Sequence, residues 1–333
     1  MKDTNKISIA HRGASGYLPE HTLEAKALAY MMGVDYLEQD LAMTKDDKLI
    51  VIHDLFLDRN TNVSEVFPNR HRENGRYYAI DFTLDEIKSL NFTEGFSIKN
   101  GEKIQDYPNR FPMNKSTFKI HTYEEEIEFI QGLNKTTGKN VGIYTETKGP
   151  WFHKQNGKDI SKATLKVMKE YGYDNLDSKV YFQTFDYPDL KYVVSTLFKE
   201  FNMNIKTILL YAYNEWLETY EYVNNNWTPF DFEKISTIEG MKEVSNYATG
   251  LGPAYSMLVD TQENSKEYKI SDFVKKAHSL NLVVHPYTAR KDALPAYANN
   301  FNDLLNIILV EAGADGLFSD FPDLLVNFMK NIK

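Results

Sequence analysis

Along the chain, short runs of β-branched, aromatic and aliphatic residues alternate with stretches whose apolar positions recur every three to four residues. The first kind reads as strand, the second as helix facing a core. Strands are predicted at 7–10, 35–41, 141–146, 180–185, 207–211, 247–251, 282–286 and 316–318, and helices near 23–32, 122–134, 161–171, 187–199, 237–246, 271–280 and 302–312. Local chemistry supports these boundaries. Thr122 and Glu125 form a capping box ahead of Ile127, Ile130 and Leu133 at helical spacing. Pro188 falls in a first helical turn behind Asp186, a suitable cap. Gly33-Val-Asp35, Gly172-Tyr-Asp174 and Gly313-Ala-Asp315 each follow a helical stretch, where glycine suits the left-handed residue that ends a helix. Strands and helices in this alternation predict an α/β fold, a (β/α)8 TIM barrel. No Gly-rich dinucleotide loop follows the first strand, which weighs against an open doubly wound sheet.

One segment breaks the rhythm. Residues 58–116 are rich in Asn, Arg, Pro and Tyr, as in "DRNTNVSEVFPNRHRENGRYY", and only 83–90, "TLDEIKSL", has a helical pattern. The segment reads as an insertion after the second strand region, laid over the barrel mouth and lacking the apolar residues for a core of its own. The whole of 1–333 then reads as one domain.

Composition narrows the function classes. Hydrophobic residues make up 42% of the chain, enough for a large core. The net charge of −9 and the lack of a basic stripe argue against nucleic-acid binding, which draws its affinity from Lys and Arg on phosphates. There is no cysteine, so neither disulfides nor thiolate chemistry enter. No run of about 18 apolar residues predicts a membrane-spanning helix. No apolar leader precedes the first strand, so the residues suit a cytosolic protein or a mature exported one numbered without its leader.

Ionisable residues gather where the predicted strands end, which in a (β/α)8 barrel is one mouth. His11 and Arg12 follow the first strand; Glu38 and Asp40, two residues apart, share one face of the second. "LIVIHD" ends on His53, "IYTETK" carries Glu146 and Lys148, "YFQTFD" offers Gln183 and Asp186, "VVHPYTAR" offers His285 and "GLFSDFPD" offers Asp320. Three converging carboxylates, Glu38, Asp40 and Glu146, repel one another unless a proton or cation intervenes. An all-oxygen set favours Ca²⁺ or Mg²⁺ over zinc. The alternative is a structural ion network with Arg12 and Lys148. A bound cation would let this acidic protein hold an anion. His11 and His53 both end early strand-like runs, and a pair beside such a cluster can divide general base and general acid work. Glu20 could orient His11 or Arg12, or cap the helix that follows. His21, His71, His121, His153 and His278 read as structural or solvated, and His285 as a wall of the pocket. Trp151, Phe152, Tyr287 and Phe318 are candidate aromatic walls for a glycerol or choline group, or packing residues.

Five stretches, "HRGASGYLPEHTLEA", "DYLEQDLAMTKDDKLIVIHD", "GIYTETK", "VHPYTAR" and "DGLFSDFPD", together resemble glycerophosphodiester phosphodiesterases, most of all the longer bacterial periplasmic type. The resemblance covers nearly the whole chain. It implies a barrel that hydrolyses deacylated phospholipids such as glycerophosphocholine to sn-glycerol 3-phosphate and an alcohol. It further implies His11 and His53 as the acid/base pair and Glu38, Asp40 and Glu146 as metal ligands. Arg12 and Lys148 would bind phosphate and substrate, with Gln183 and Phe318 beside them. Ca²⁺ is the implied ion, with Mg²⁺ as the alternative, and the implied compartment is the periplasm. Thr145 stands where the family often has proline, and His21 where it often has asparagine.

Three other functions remain to be weighed. A glycoside hydrolase would use paired carboxylates without metal or paired histidines. A sphingomyelinase-D-like lyase would need an exposed apolar loop for membrane contact, which the polar insertion does not offer. A non-catalytic surface binding protein would bind ligand without turnover.

Overall fold

The structure, a computed structural model, describes residues 6–332. Eight parallel strands build it: β1 Ile7–Ala10, β2 Tyr36–Met43, β3 Gly142–Thr147, β4 Val180–Thr184, β5 Lys206–Tyr211, β6 Gly250–Pro253, β7 Val283–Val284 and β8 Gly316–Ser319. They pair in the order β7-β6-β5-β4-β3-β2-β1-β8. Backbone bonds from Asp315 to Val284 at 2.9 Å and from Phe318 to Pro286 at 3.1 Å join β8 back to β7, so the sheet closes into the expected barrel.

Two of the predicted strands differ from those observed. The sixth begins at Gly250 because the turn after helix Ile238–Val244 runs on through Tyr247, whose amide still bonds to Val244. The seventh keeps a regular ladder only at Val283–Val284, since Pro286 has no amide to donate. The helix Pro322–Asn331 was not predicted, although Pro322 opens it and Leu325, Val326 and Met329 are buried from it. The predicted capping box of Thr122 and Glu125 is present in both halves on helix Tyr123–Thr137. Gly33, Gly172 and Gly313 all hold left-handed backbone, at φ 88°, 81° and 79°. Behind two of them an aspartate ties strands together: Asp35 accepts the Ser8 amide and Asp315 the Val284 amide, each at 2.8 Å.

Strand alternation decides which side chains reach the interior. On β2 Tyr36, Glu38 and Asp40 face inward, while Leu37 and Leu41 join the layer between strands and helices. On β3 the inward pair is Tyr144 and Glu146. Ile9, Tyr36, Tyr144, Ile208, Leu210 and Phe318 fill the lower barrel, and the polar inward residues stand above them. Outside the barrel, Lys26 and Glu126, both fully buried, pair at 2.7 Å, and Gln39 donates to the same carboxylate at 2.9 Å. Gln39 in turn accepts from Thr145 at 3.0 Å, so β2 and β3 are pinned where their carboxylates emerge.

The segment 58–116 departs from the expectation that it lacks a core. Val63, Tyr77, Phe82, Ile87, Leu90 and Phe92 form a buried cluster together with Ile50, Ile52, Leu57, Phe118 and Ile120. Ile50 belongs to a short strand, Leu49–Val51, that runs antiparallel to β2, and Ile52 follows it. The apolar residues of 58–116 are therefore completed by residues outside it, which is why counting within the segment undervalued it. Besides the predicted helix, here Leu84–Ser89 with its own Thr83/Glu86 capping box, it holds a hairpin of Phe96–Lys99 and Glu102–Gln105. Among the described residues no helix is long and apolar enough to cross a membrane.

Candidate active site

The register of neighbouring strands sets the site. Asp40 on β2 lies beside Glu146 on β3, and Glu146 beside Gln183 on β4. One oxygen each from Glu38, Asp40 and Glu146 lies within 4.8 Å of the other two, and all three residues are buried. With His11, Arg12, His53, Lys148, Gln183 and Phe318 they line a cavity of about 220 Å³ at the C-terminal end of the barrel. A more polar chamber of about 520 Å³ adjoins it, sharing His11, Arg12, His53 and Arg290 and reaching Arg59, Asp106 and Arg110 of the insertion.

His11 leaves β1 with Nδ1 2.6 Å from Asp320 Oδ1 and Nε2 4.0 Å from Glu38. Burial and the nearby Arg12 charge bring its pKa down to about 4, so it is neutral at pH 7. His53 has Nδ1 2.6 Å from Asp54 Oδ1 and Nε2 3.4 Å from Lys148 Nζ. Burial, Arg12 and Lys148 lower it to about 3. Both rings thus rest their Nδ1 on a carboxylate and keep Nε2 on the cavity side.

Arg12 adopts left-handed backbone, φ 58°, as does His21 at 60°, conformations that cost a residue with a Cβ about 1 kcal/mol. The turn is repaid in contacts: the Arg12 amide donates to Glu38 at 2.7 Å and its guanidinium to Glu20 at 2.8 Å. Glu20 therefore orients Arg12, one of its two predicted partners, and also pairs with Arg59. The N-cap of helix Leu23–Met32 is Thr22, so Glu20 does not cap it. His21 lies 2.8 Å from Asp40.

The carboxylates themselves are strained by proximity. Burial and the facing Asp40 push Glu38 well above the usual range, and burial takes Glu146 up to about 8 despite Lys148 at 2.7 Å. Burial also opposes ionisation of Asp40, but His21 and the surrounding cations outweigh it and hold that group low. Asp40 Oδ1 and Gln183 Oε1 are buried without a hydrogen-bond donor, and Glu146 Oε1 has only the Lys148 ammonium beside it. Carboxylates that resist ionisation, unpaired buried oxygens and close spacing are what a hard divalent cation fits.

Some sequence candidates lie elsewhere. His285 is not a wall of the cavity; its ring sits lower in the barrel, 2.9 Å from the Tyr144 hydroxyl. Asp186 caps helix Tyr187–Tyr192. Trp151 packs on Tyr220 and Phe152 on Tyr78, whereas Tyr287 and Phe318 line the cavity. Sequence reasoning missed Asp54, Arg59, Arg110, Phe185, Trp216, Glu218 and Arg290. Asp54 had a signal, as the second half of "HD"; after β5, Trp216 ends a single 3-10 turn, Asn214–Trp216, and Glu218 follows it, in a stretch too short for periodicity.

Away from the carboxylates, His153 and His285 are also buried neutral, each brought down to about 4 chiefly by burial. The unfolded chain protonates such groups near 6.5, so their contribution is whole above that pH and is lost as pH falls toward 4. Each is worth about 3 kcal/mol across that window. Denaturant unfolding from pH 7.5 to 4.5 is expected to show a shallower loss for His285→Phe than for the parent protein. Parallel curves would contradict this.

Comparisons with known proteins follow the same lines. The pattern of the glycerophosphoryl diester phosphodiesterase family matches residues 11–324. The chain is 54% identical over 332 residues to the glycerophosphodiester phosphodiesterase of Haemophilus influenzae, covering 99% of this chain and 91% of that one. It is 40% identical to that of Treponema pallidum, covering 98% and 92%. Among solved structures it superposes on an Oleispira antarctica phosphodiesterase in complex with the product sn-glycerol-3-phosphate (TM-score 0.62, 19% identity, 97% and 96% covered). It also superposes on a Thermotoga maritima glycerophosphodiester phosphodiesterase (TM-score 0.55, 19% identity, 97% of each chain). At these identities the two structures speak to the fold.

Proposed function

Because the chain belongs to the glycerophosphoryl diester phosphodiesterase family and is a phosphoric diester hydrolase, we propose that it hydrolyses glycerophosphodiesters to sn-glycerol 3-phosphate and an alcohol, with His11 and His53 as the acid/base pair. The observation that carries this reading is the placement of two histidines, each with Nδ1 on an aspartate and Nε2 toward the cavity, beside three buried carboxylates and the cations Arg12 and Lys148. The whole chain acts as one catalytic domain, with 58–116 as its insertion.

Glu38, Asp40 and Glu146 would hold a hard divalent cation, as their all-oxygen set suits, with Ca²⁺ implied by the resemblance to the longer bacterial type and Mg²⁺ as the alternative. Bound there, it would supply charge neutralisation at the phosphate oxygens. Arg12 adds a fixed positive charge on the same side, and Lys148 offers an ammonium donor beside His53. In the first step His11 takes the proton of the substrate's glycerol 2-hydroxyl, whose oxygen bonds to phosphorus as the bond to the leaving alcohol breaks. His53, the more open of the two rings, enters the step as the imidazolium, with a solvent proton on Nε2 and its Nδ1–H on Asp54, and gives that Nε2 proton to the departing alcohol. The roles then reverse: water, deprotonated by His53, opens the cyclic phosphate, and His11 returns a proton to the 2-hydroxyl. Phe185, Tyr287 and Phe318 wall the cavity.

Phosphorus NMR of glycerophosphocholine with the enzyme should show sn-glycerol 3-phosphate, and an analogue lacking the 2-hydroxyl should persist unchanged. Equal turnover of that analogue would remove the cyclic step. The sphingomyelinase-D-like reading draws on one observation: Trp216, Leu217, Tyr222 and Val223, after β5, are exposed beside the mouth, a loop of the kind sought in the insertion. A choline lysophospholipid run in parallel separates the two readings.

A further inference from the structure

Each of the two mouth histidines rests on an aspartate, and each aspartate is held from the insertion. On one side Asp54 takes His53 Nδ1 on Oδ1 and Arg59 Nε on Oδ2, at 2.6 and 3.0 Å. On the other Asp320 takes His11 Nδ1 on Oδ1 at 2.6 Å, and on Oδ2 accepts Arg110 Nη2 at 2.7 Å and Arg290 Nε at 2.8 Å. Arg59 also pairs with Glu20, the residue that aims the Arg12 guanidinium. Arg59 and Arg110 stand near opposite ends of 58–116, and the side chain of Arg110 is only 6% exposed. Arg290 alone comes from the barrel.

We propose that the insertion is a clamp on the acid/base pair: Arg59 through Asp54, and Arg110 through Asp320, fix each histidine ring with Nδ1 as the donor and Nε2 presented to the cavity. The proposal rests on the acid/base reading of His11 and His53. Its physical basis is that a carboxylate selects the tautomer and rotation of the imidazole it accepts from, and keeps that role only while it is itself ionised and oriented. An aspartate buried at the mouth without its arginine would turn or take up a proton, and the ring would lose its fixed donor. Arg59 and Arg110 are positioning residues, since neither touches the carboxylate cluster. The two sides are unequal. Asp320 has two arginines, so loss of Arg110 leaves Arg290 in place, whereas Asp54 depends on Arg59 alone.

The test uses the full chain with ¹⁵N-labelled histidine, the two ring signals being assigned from His11→Ala and His53→Ala. In Arg59→Gln the His53 ring nitrogens should shift toward a tautomer mixture while those of His11 stay, and kcat should fall about 10- to 100-fold with little change in KM. Arg110→Gln should lose less than Arg59→Gln, and Arg110→Gln combined with Arg290→Gln should match it. Arg59→Lys should recover part of the loss. Arg72→Gln breaks an equally close ion pair within the insertion, to Asp81 at 2.7 Å, without touching either aspartate, and should leave turnover and ring signals unchanged. Asp54→Asn severs the same link from the barrel side if Arg59→Gln does not fold. Unmoved His53 signals with unchanged kcat in a folded Arg59→Gln would overturn the clamp, as would an equal loss in Arg72→Gln. Full turnover in His53→Ala would instead remove the acid/base reading, while the ring shifts in Arg59→Gln would still report the clamp.

Discussion

Alanine at His11 or at His53 is expected to lower kcat on glycerophosphocholine by about 10²- to 10⁴-fold, the range over which a positioned proton donor or acceptor acts. KM should move little, because in the proposed reading the phosphate is met by Arg12, Lys148 and the cation that Glu38, Asp40 and Glu146 would hold, rather than by either ring. The two variants should differ with leaving group. A nitrophenyl ester departs without needing a proton, so it should restore His53→Ala much more than His11→Ala. The opposite order would exchange the roles of base and acid, and full turnover by either variant on the natural diester would remove that residue from the chemistry. His71→Ala, an exposed substitution in the insertion, serves as the control and should be silent.

The second large effect concerns Glu38. Glu38→Gln keeps an oxygen for the Arg12 amide but removes one of three crowded negative charges. Because burial and Asp40 hold the Glu38 carboxyl well above the usual range, the metal-free variant should be more resistant to unfolding than the parent at pH 8. Its Ca²⁺ affinity by calorimetry should nevertheless drop about 100-fold or more, since a neutral amide is a poorer hard-cation ligand than a carboxylate. The competing picture, a purely structural ion network, predicts the reverse pair of results: a less stable variant, and no cation binding to lose.

What could be read from the chain and what could not divides along physical lines. Strand period two put Glu38 and Asp40 on one face, and barrel topology put strand ends together, so the carboxylate cluster was legible from spacing. Capping chemistry at Thr122 and the helix-ending glycines were legible for the same local reason. The depth of a residue within the barrel was not. His285 and Phe318 both occupy strand-end stretches, yet the Tyr144 hydroxyl draws His285 downward while Phe318 meets the cavity. The partners of the histidines were also hidden, because Arg59 and Arg110 come from a segment with no periodicity, and only the folded chain brings them to Asp54 and Asp320. The core of that segment escaped notice because Ile50, Ile52, Leu57, Phe118 and Ile120, outside it, complete the cluster.

The claim that joins these observations is that a divalent cation at Glu38, Asp40 and Glu146 enables diester cleavage by His11 and His53. Release of glycerol 3-phosphate from glycerophosphocholine, measured with EDTA and again after Ca²⁺ or Mg²⁺ is restored, tests it most directly. The account predicts that EDTA stops release and that one of the two ions returns it. Undiminished release in EDTA would contradict it.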